Sequence, residues 1–437
     1  MKEGRFEAYD EFLDNYHDYE VYLQDECPNP QFNLTKENLI QRQMGHCTTE
    51  GTQRYFQRNQ EQIHPDNFTS IQLGRNQLTL SKMMMGTAIG QPDKLSDVSQ
   101  YFCNKLALIS GGMNQIDTAT FFRSQKAERI VGAVLNTLVQ KYRFQRDEFF
   151  INSKQGVLIA DLYENEPQEL LIQDILTSGN VQKEDIIGDI YSIHPHVLQM
   201  QLENTLERLN IETLDVALLF NPHELAQPFL TKKQYQNQLL RAFDFYEKQI
   251  QQGRIRYYGL SGEDSLMFNV QRATNKAMKL GTTVDKIQQN IYDVVNLVEK
   301  SFGQKHHFKF LQAPMSVTQQ AVLQLKIHKS QDNLDKTLLD ACDDLGINLM
   351  GYGLLKYSQK NIILEKQIRV NDKLGRNFQL FKSLNKPSLV SFAIGMDTLA
   401  AVRSAYEIMS LPNTKDDIVE QYFNPNYKKM QEEFGEE

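Results

Sequence analysis

The chain has 437 residues and a formal net charge of −8, which gives room for one large α/β domain with appendages or for two ordinary domains. That acidity excludes the concentrated positive field that nucleic-acid phosphates require. Its four cysteines, Cys27, Cys47, Cys103 and Cys342, stand far apart with no CxxC pair, so neither a zinc knuckle nor a disulfide framework is suggested and a reducing compartment is expected.

The opening MKEGRFEAYDEFLDNY has neither the basic end and apolar run of a secretory signal nor the Arg/Ser-rich character of an organelle presequence. No apolar run approaches the ~20 residues of a membrane span. A soluble, cytoplasmic protein without direct membrane insertion is the default expectation. An organelle such as the mitochondrion, reached without a cleaved presequence, and a cytoskeletal or ciliary assembly stay open.

Residues 1–67 read as an acidic and aromatic extension, poor in the Val/Ile/Leu runs that feed a core. Within it Phe6, Tyr9, Phe12, Tyr16, Tyr19 and Tyr22 recur at steps of three or four, which places their rings on one face of a helix. That face either packs on the chain's own domain or docks on a protein partner, since Tyr and Phe are enriched in interface cores. From residue 68 the pattern changes. SIQL and QLTL flank Gly74, Arg75 and Asn76 and predict a β-hairpin.

Eight short β-type runs follow: KMMMG (82–86), QIDTA (115–119), FFINSK (149–154), DVALLF (215–220), IRYYGLS (255–261), FKFLQA (308–313), INLMGY (347–352) and LVSFAIG (389–395). Helical periodicity separates them over 126–142, 197–209, 236–252 and 334–345, with a further amphipathic stretch at 286–300. Eight βα units predict an α/β fold, a closed (β/α)8 TIM barrel over 68–412, because parallel strands need helical crossovers. A doubly wound open sheet is the rival, but no GxGxxG or GxxxxGK[ST] follows any strand. Residues 413–437, ending QEEFGEE, read as a solvated tail.

In such a barrel chemistry sits at the C-terminal strand ends. Those ends carry Asp117, Lys154, Phe220, Ser261, Gln312 and Tyr352. His306 and His307 are chain neighbours that face no common site, so no metal centre is expected.

The ordered set IDTA with Glu128 and Arg129 behind it, INSK, VALLFNP, GRIRYYGLS and the QAP strand end resembles the aldo/keto reductases, over roughly residues 71–408. TEGTQRYFQRN and HPDNF (64–68) resemble the entry segment of one branch of that family. The resemblance implies a TIM barrel that reduces carbonyl compounds with NADP(H). It matches Asp117 to the family's aspartate and Lys154 to the lysine that eases the proton donor's ionisation. It also places Phe122 where the proton-donating tyrosine belongs and Phe220 where the carbonyl-polarising histidine belongs. A phenyl ring has no exchangeable proton, and losing the general acid alone forfeits ~10²–10⁴ in rate. His223, three positions past Phe220, is expected in solvent.

On the cofactor side the resemblance implies contacts from Ser261, Gln312, Tyr352 and Gly395. Gly262, Asp397 and Ala405 depart from it, at positions where the family holds an asparagine, a phosphate-binding side chain and an adenine-binding asparagine. These departures favour a chain without cofactor, NADP(H) being the alternative. The expected function is an inactive relative serving as an accessory subunit of a larger protein assembly. The rivals are a divergent NADP(H)-dependent oxidoreductase and a nucleotide-binding sensor without turnover. Asp117 and Lys154 have a role either way, since removing one member of a buried ion pair costs ~3–5 kcal/mol.

Overall fold

The computed structural model describes residues 42–162, 167–266, 289–316, 319–354, 373–384 and 386–415, with isolated positions between and beyond them. The aromatic series Phe6 to Tyr22 and the QEEFGEE tail lie outside the described residues.

Two strands form the predicted hairpin, β1 (Phe68–Leu73) and β2 (Asn76–Ser81), paired antiparallel with Leu73 opposite Asn76. The turn is therefore Gly74–Arg75, and Asn76 belongs to the strand. Gly74 takes a left-handed φ of 63°, which glycine adopts without the Cβ penalty.

All eight predicted barrel strands form: β3 (Met83–Gly86), β4 (Gln115–Asp117), β5 (Phe150–Gln155), β6 (Leu214–Phe220), β7 (Ile255–Ser261), β8 (Phe308–Pro314), β11 (Asn348–Tyr352) and β12 (Leu389–Gly395). They close in the order β11-β12-β3-β4-β5-β6-β7-β8, every pair parallel. The two-residue strands β9 (His328–Lys329) and β10 (Asp335–Lys336) make a separate antiparallel ribbon.

Because side chains alternate along a strand, each strand that feeds an apolar residue into the barrel feeds another inward two positions later. Met84, Phe150, Val216, Leu218, Phe310, Met350 and Val390 form one buried cluster with Ile71, Leu73, Leu78 and Leu80 of the hairpin, which therefore plugs the barrel at the strand starts. Two residues beyond Met84, Leu218, Phe310 and Met350 come Gly86, Phe220, Gln312 and Tyr352, which line the opposite mouth. The period of two that builds the core thus also builds the site.

The outer helices bury one face each against the strands. The first, α1 (Thr49–Asn59), sinks Tyr55, whose hydroxyl donates to the carbonyls of Leu108 and Met113 at 2.7 and 2.9 Å. Helices Lys126–Tyr142 and Pro195–Leu209 follow the expected periodicity. Three expectations shift at their starts. The helix expected from 236 begins at Lys232, capped by Thr231 with Gln234 reaching back. The helix expected over 334–345 begins at Leu338, because residues 335–336 are held in the ribbon and Thr337 supplies the cap. The stretch expected over 286–300 is helical at Ile291–Phe302, capped by Asn290, its first residues lying outside the described ones. One further helix, Gln168–Thr177, is inserted between β5 and its crossover helix. Among the described residues no helix is long and apolar enough to cross a membrane.

Candidate functional site

The barrel mouth opens into a cavity of about 510 Å³. The strand-end and loop residues singled out from the sequence reach it: Asp117, Phe122, Lys154, Phe220, Ser261, Gln312, Tyr352 and Gly395.

A buried polar chain crosses its floor. Lys154 Nζ donates to Asp117 Oδ1 at 2.5 Å and to the Thr118 carbonyl at 3.1 Å. Gln312 Nε2 donates to the same Asp117 oxygen at 2.8 Å, and Ser261 Oγ donates to Gln312 Oε1 at 3.0 Å. Asp117 and Lys154 are 4 % and 3 % exposed, Ser261 and Gln312 wholly buried. Burial lowers the Lys154 amine below its ordinary range, and the charge of Asp117 opposes that shift. The chain satisfies itself: Ser261, Gln312 and Asp117 spend their named hydrogen bonds on one another.

Carbon rings stand above it. The Phe122 ring centroid lies 4.7 Å from Lys154 Nζ. Phe121 packs edge-on to Phe122 at 5.1 Å and tilted on Phe220 at 4.9 Å. Phe122, Phe220 and Tyr352 are half-buried, with the rest of their surface open. The Tyr352 hydroxyl donates to the Gly262 carbonyl at 3.3 Å.

The loop carrying Phe122 is held in an unusual way. Arg123, Ser124 and Gln125 take φ of 52°, 52° and 73°, three successive non-glycine residues in the left-handed region, each at a cost of roughly 1–2 kcal/mol. Buried contacts offset it. The Arg123 guanidinium donates to Asp97 Oδ1 at 2.5 Å, to the Gln91 carbonyl at 2.7 and 3.0 Å, and to Gln100 Oε1 at 3.1 Å. These bonds fix the loop after β3, which carries Ala88 and Ile89 into the cavity wall. Glu128, of the sequence's Glu-Arg pair, accepts from Ser153 at 2.7 Å and Thr205 at 2.8 Å and pairs with Arg208, tying its helix to β5.

His223 is not in solvent, contrary to expectation. A single helical turn, Pro222–Leu225, carries it inward to 1 % exposure, its ring 5.2 Å from that of Tyr235. Burial lowers its pKa to about 3, so it is neutral and sits behind the wall. His307 Nδ1 bonds Glu247 at 2.8 Å, and among the described residues no cluster of three metal-ligating side chains occurs.

Sequence reasoning missed Glu263 and Glu224. Glu263 lines the cavity two residues past Ser261, so the strand's own period pointed to it. Buried Glu224 accepts from the backbone N–H groups of Ser265 at 2.9 Å and Glu263 at 3.2 Å, fixing that loop.

Of the positions compared with a dinucleotide site, Ser261, Gln312 and Tyr352 line the cavity, whereas Gly262, Gly395 and Ala405 are crowded or buried. A Cβ on Gly262 would lie 2.8 Å from Leu266 Cδ1, so an asparagine there would have to displace that leucine side chain. Ala405 is wholly buried in the core. A Cβ on Gly395 would lie 2.0 Å from Ile89 Cδ1, so Ile89 covers that glycine. Among the described residues the cavity's charged lining is Asp117, Glu263 and Lys154, two carboxylates against one ammonium.

The model of the Aldo/keto reductase family matches residues 82–336, more than half of the chain. Among solved structures the chain is similar to an aldo-keto reductase from Bacillus halodurans in its holo form, with 13 % identity, 82 % of this chain and 95 % of that one covered, and a TM-score of 0.49. It is similar to an aldo/keto reductase from Klebsiella pneumoniae in complex with NADP and acetate, with 14 % identity, 82 % and 95 % coverage, and a TM-score of 0.48. An aldose reductase from Schistosoma japonicum gives 13 % identity, 84 % and 93 % coverage, and a TM-score of 0.47. No curated protein matches the sequence.

Proposed function

The chain belongs to the aldo/keto reductase family, and from that premise we propose that it is a member that reduces no carbonyl compound and serves as an accessory subunit of a larger protein assembly. One observation carries the first half: the Phe121, Phe122 and Phe220 rings pack together beside Lys154, where a reduction needs groups that donate a proton. A hydride delivered to a carbonyl carbon leaves charge on the oxygen, and these rings have nothing to give it. His223 offers no replacement, being held neutral behind the wall.

The same reading covers the cofactor. A dinucleotide brings a pyrophosphate, and the one cationic side chain among the described lining residues already bonds Asp117. The departures at Gly262 and Ala405 from the asparagines of the family pattern support a mouth that holds no NADP(H). Support for an assembly comes from the aromatic periodicity of Phe6, Tyr9, Phe12, Tyr16, Tyr19 and Tyr22.

The second reading, a divergent NADP(H)-dependent oxidoreductase or a dinucleotide sensor without turnover, draws on the unbroken Asp117, Lys154, Gln312 and Ser261 chain. Incubation of the full chain with NADPH and 4-nitrobenzaldehyde separates the proposal from the oxidoreductase, and calorimetric titration with NADPH, expected to show no binding, separates it from the sensor. No coenzyme consumption above background is expected. Steady consumption abolished by Lys154→Met would overturn the proposal. For the assembly, native size well above 50.7 kDa, lost on deleting residues 1–30, is expected; a monomer in its native extract would refute it.

A further inference from the structure

We propose that the barrel mouth is a binding site for a compact organic cation, an aryl- or alkylammonium ion. This inference rests on the reading that the mouth no longer receives an anionic dinucleotide, and goes beyond it by naming what the walls would accept.

The walls come first. Phe220 and Tyr352 reach the cavity from two strand ends and Phe122 from the loop after β4, each of them only partly buried. An aromatic face carries the negative part of the ring quadrupole and attracts a cation within about 6 Å of its centroid, more strongly where water is excluded. Lys154 shows the effect within the protein, its ammonium standing 4.7 Å from the Phe122 centroid. A cavity of about 510 Å³ suits a molecule of small-drug size.

Charge then selects the sign. Asp117 and Lys154 neutralise one another on the floor. What remains on the wall is Glu263, whose carboxylate has no ion-pair partner among the described residues, with the Glu224 carboxylate behind the same loop. An anion entering here meets a carboxylate that no described cation pairs, and a neutral apolar molecule strips water from that carboxylate and returns nothing. An ammonium ion with apolar substituents satisfies both demands, its charge toward Glu263 and its substituents on the rings. A metal ion does not fit the same walls, because no three ligating side chains meet among the described residues.

The cage is also fixed before any ligand arrives. Arg123 pins the loop that bears Ile89, and Glu224 pins the loop that bears Glu263, so binding needs little ordering of either wall.

Calorimetric titration of the full chain tests the proposal with three probes of similar shape: benzyltrimethylammonium, its neutral carbon isostere neopentylbenzene, and phenylacetate. The cation should bind at least about tenfold more tightly than the isostere, with phenylacetate weakest. Glu263→Gln should cost the cation about tenfold and leave neopentylbenzene unchanged, and it should keep the wild-type urea midpoint, because the bonds described for residue 263 are those of its backbone N–H. Phe220→Leu should weaken the cation more than the isostere. The proposal fails if phenylacetate binds as well as the cation, if the cation has no advantage over the isostere, if Glu263→Gln changes nothing, or if the cation does not bind. An NADPH titration of the same sample keeps the two readings apart. Tight NADPH binding sinks the dinucleotide-free mouth itself, whereas absence of both NADPH and cation binding sinks only this inference.

Discussion

If the Asp117–Lys154 pair is there for stability, removing either partner should cost far more than removing both. The two groups meet at 2.5 Å with 4 % and 3 % exposure, so neither charge has water to fall back on. In Asp117→Asn the ammonium keeps the Thr118 carbonyl but loses its counter-charge. In Lys154→Met the carboxylate keeps Gln312 Nε2 and loses its cation. Stranding one member of such a pair costs ~3–5 kcal/mol. The double variant has an amide and a thioether of nearly the original volumes and no buried charge. Replacing both members of a buried ion pair is often close to neutral, so the coupling between the substitutions should reach roughly 3 kcal/mol or more. Heat is a poor reporter. At ~2 cal/mol/K per residue, a chain of 437 residues shifts its Tm by only about 1 °C per kcal/mol. Urea unfolding followed by circular dichroism and by tyrosine emission, the chain having no tryptophan, reads the same loss as a midpoint lower by roughly 1 M. Additive single-variant costs, or single variants within about 1 kcal/mol of wild type, would refute the argument and leave the pair without a structural reason.

Two further outcomes follow from other buried groups. His223 is wholly desolvated with a pKa of about 3 against 6.5 in the open chain, so its neutral form belongs to the fold and its protonated form to the unfolded state. Its contribution is fully present above pH 6.5 and drains away as pH falls toward 3, by up to about 1.4 kcal/mol per pH unit. Urea midpoints measured from pH 7 to pH 4.5 should fall less steeply in His223→Gln than in wild type; identical slopes would show that the imidazole is already protonated or solvated. Gly259 on β7 has the Phe310 carbonyl oxygen 1.7 Å from where a Cβ would stand, so Gly259→Ala should destabilise by more than about 4 kcal/mol and abolish soluble expression. A well-folded Gly259→Ala variant would mean that β7 and β8 are not seated as described.

How much of this was legible beforehand divides along a physical line. Strand positions were readable because burial on both faces demands short apolar runs, and 255–261 and 389–395 were placed to the residue. The site residues on those strands were readable for the same reason, being the inward positions just beyond the apolar layer. Helix starts were less so, because they are decided by caps such as Thr231 and Thr337, whose hydroxyls also suit an ordinary loop. Contacts between distant loops were not legible at all. Nothing near Arg123 in sequence says that Asp97 and Gln91 will hold it in a left-handed turn, and nothing near His223 says that Tyr235 will cover it.

Burial energetics also separate the groups of the mouth that are locked in place from those that can be exchanged cheaply. Asp117, Lys154, Gln312 and Ser261 are bound in one buried hydrogen-bonded chain, so a single change leaves a partner unsatisfied at ~1–3 kcal/mol or more. Phe122 and Phe220 are half-buried and project from strand and loop ends into open cavity, where tyrosine or histidine would strand nothing. Phe122 and Phe220 therefore stand where an exchange for tyrosine or histidine costs least. Such changes should be mild: Phe122→Tyr with Phe220→His should stay within about 1 kcal/mol of wild type in urea. Stability is then no obstacle to activity, and the assay becomes clean. On the proposal that the mouth takes no dinucleotide, the double variant should still consume no NADPH in the presence of 4-nitrobenzaldehyde. Brisk consumption by a variant that folds as well as wild type would show that the mouth had lacked only its proton donors and that a dinucleotide still fits.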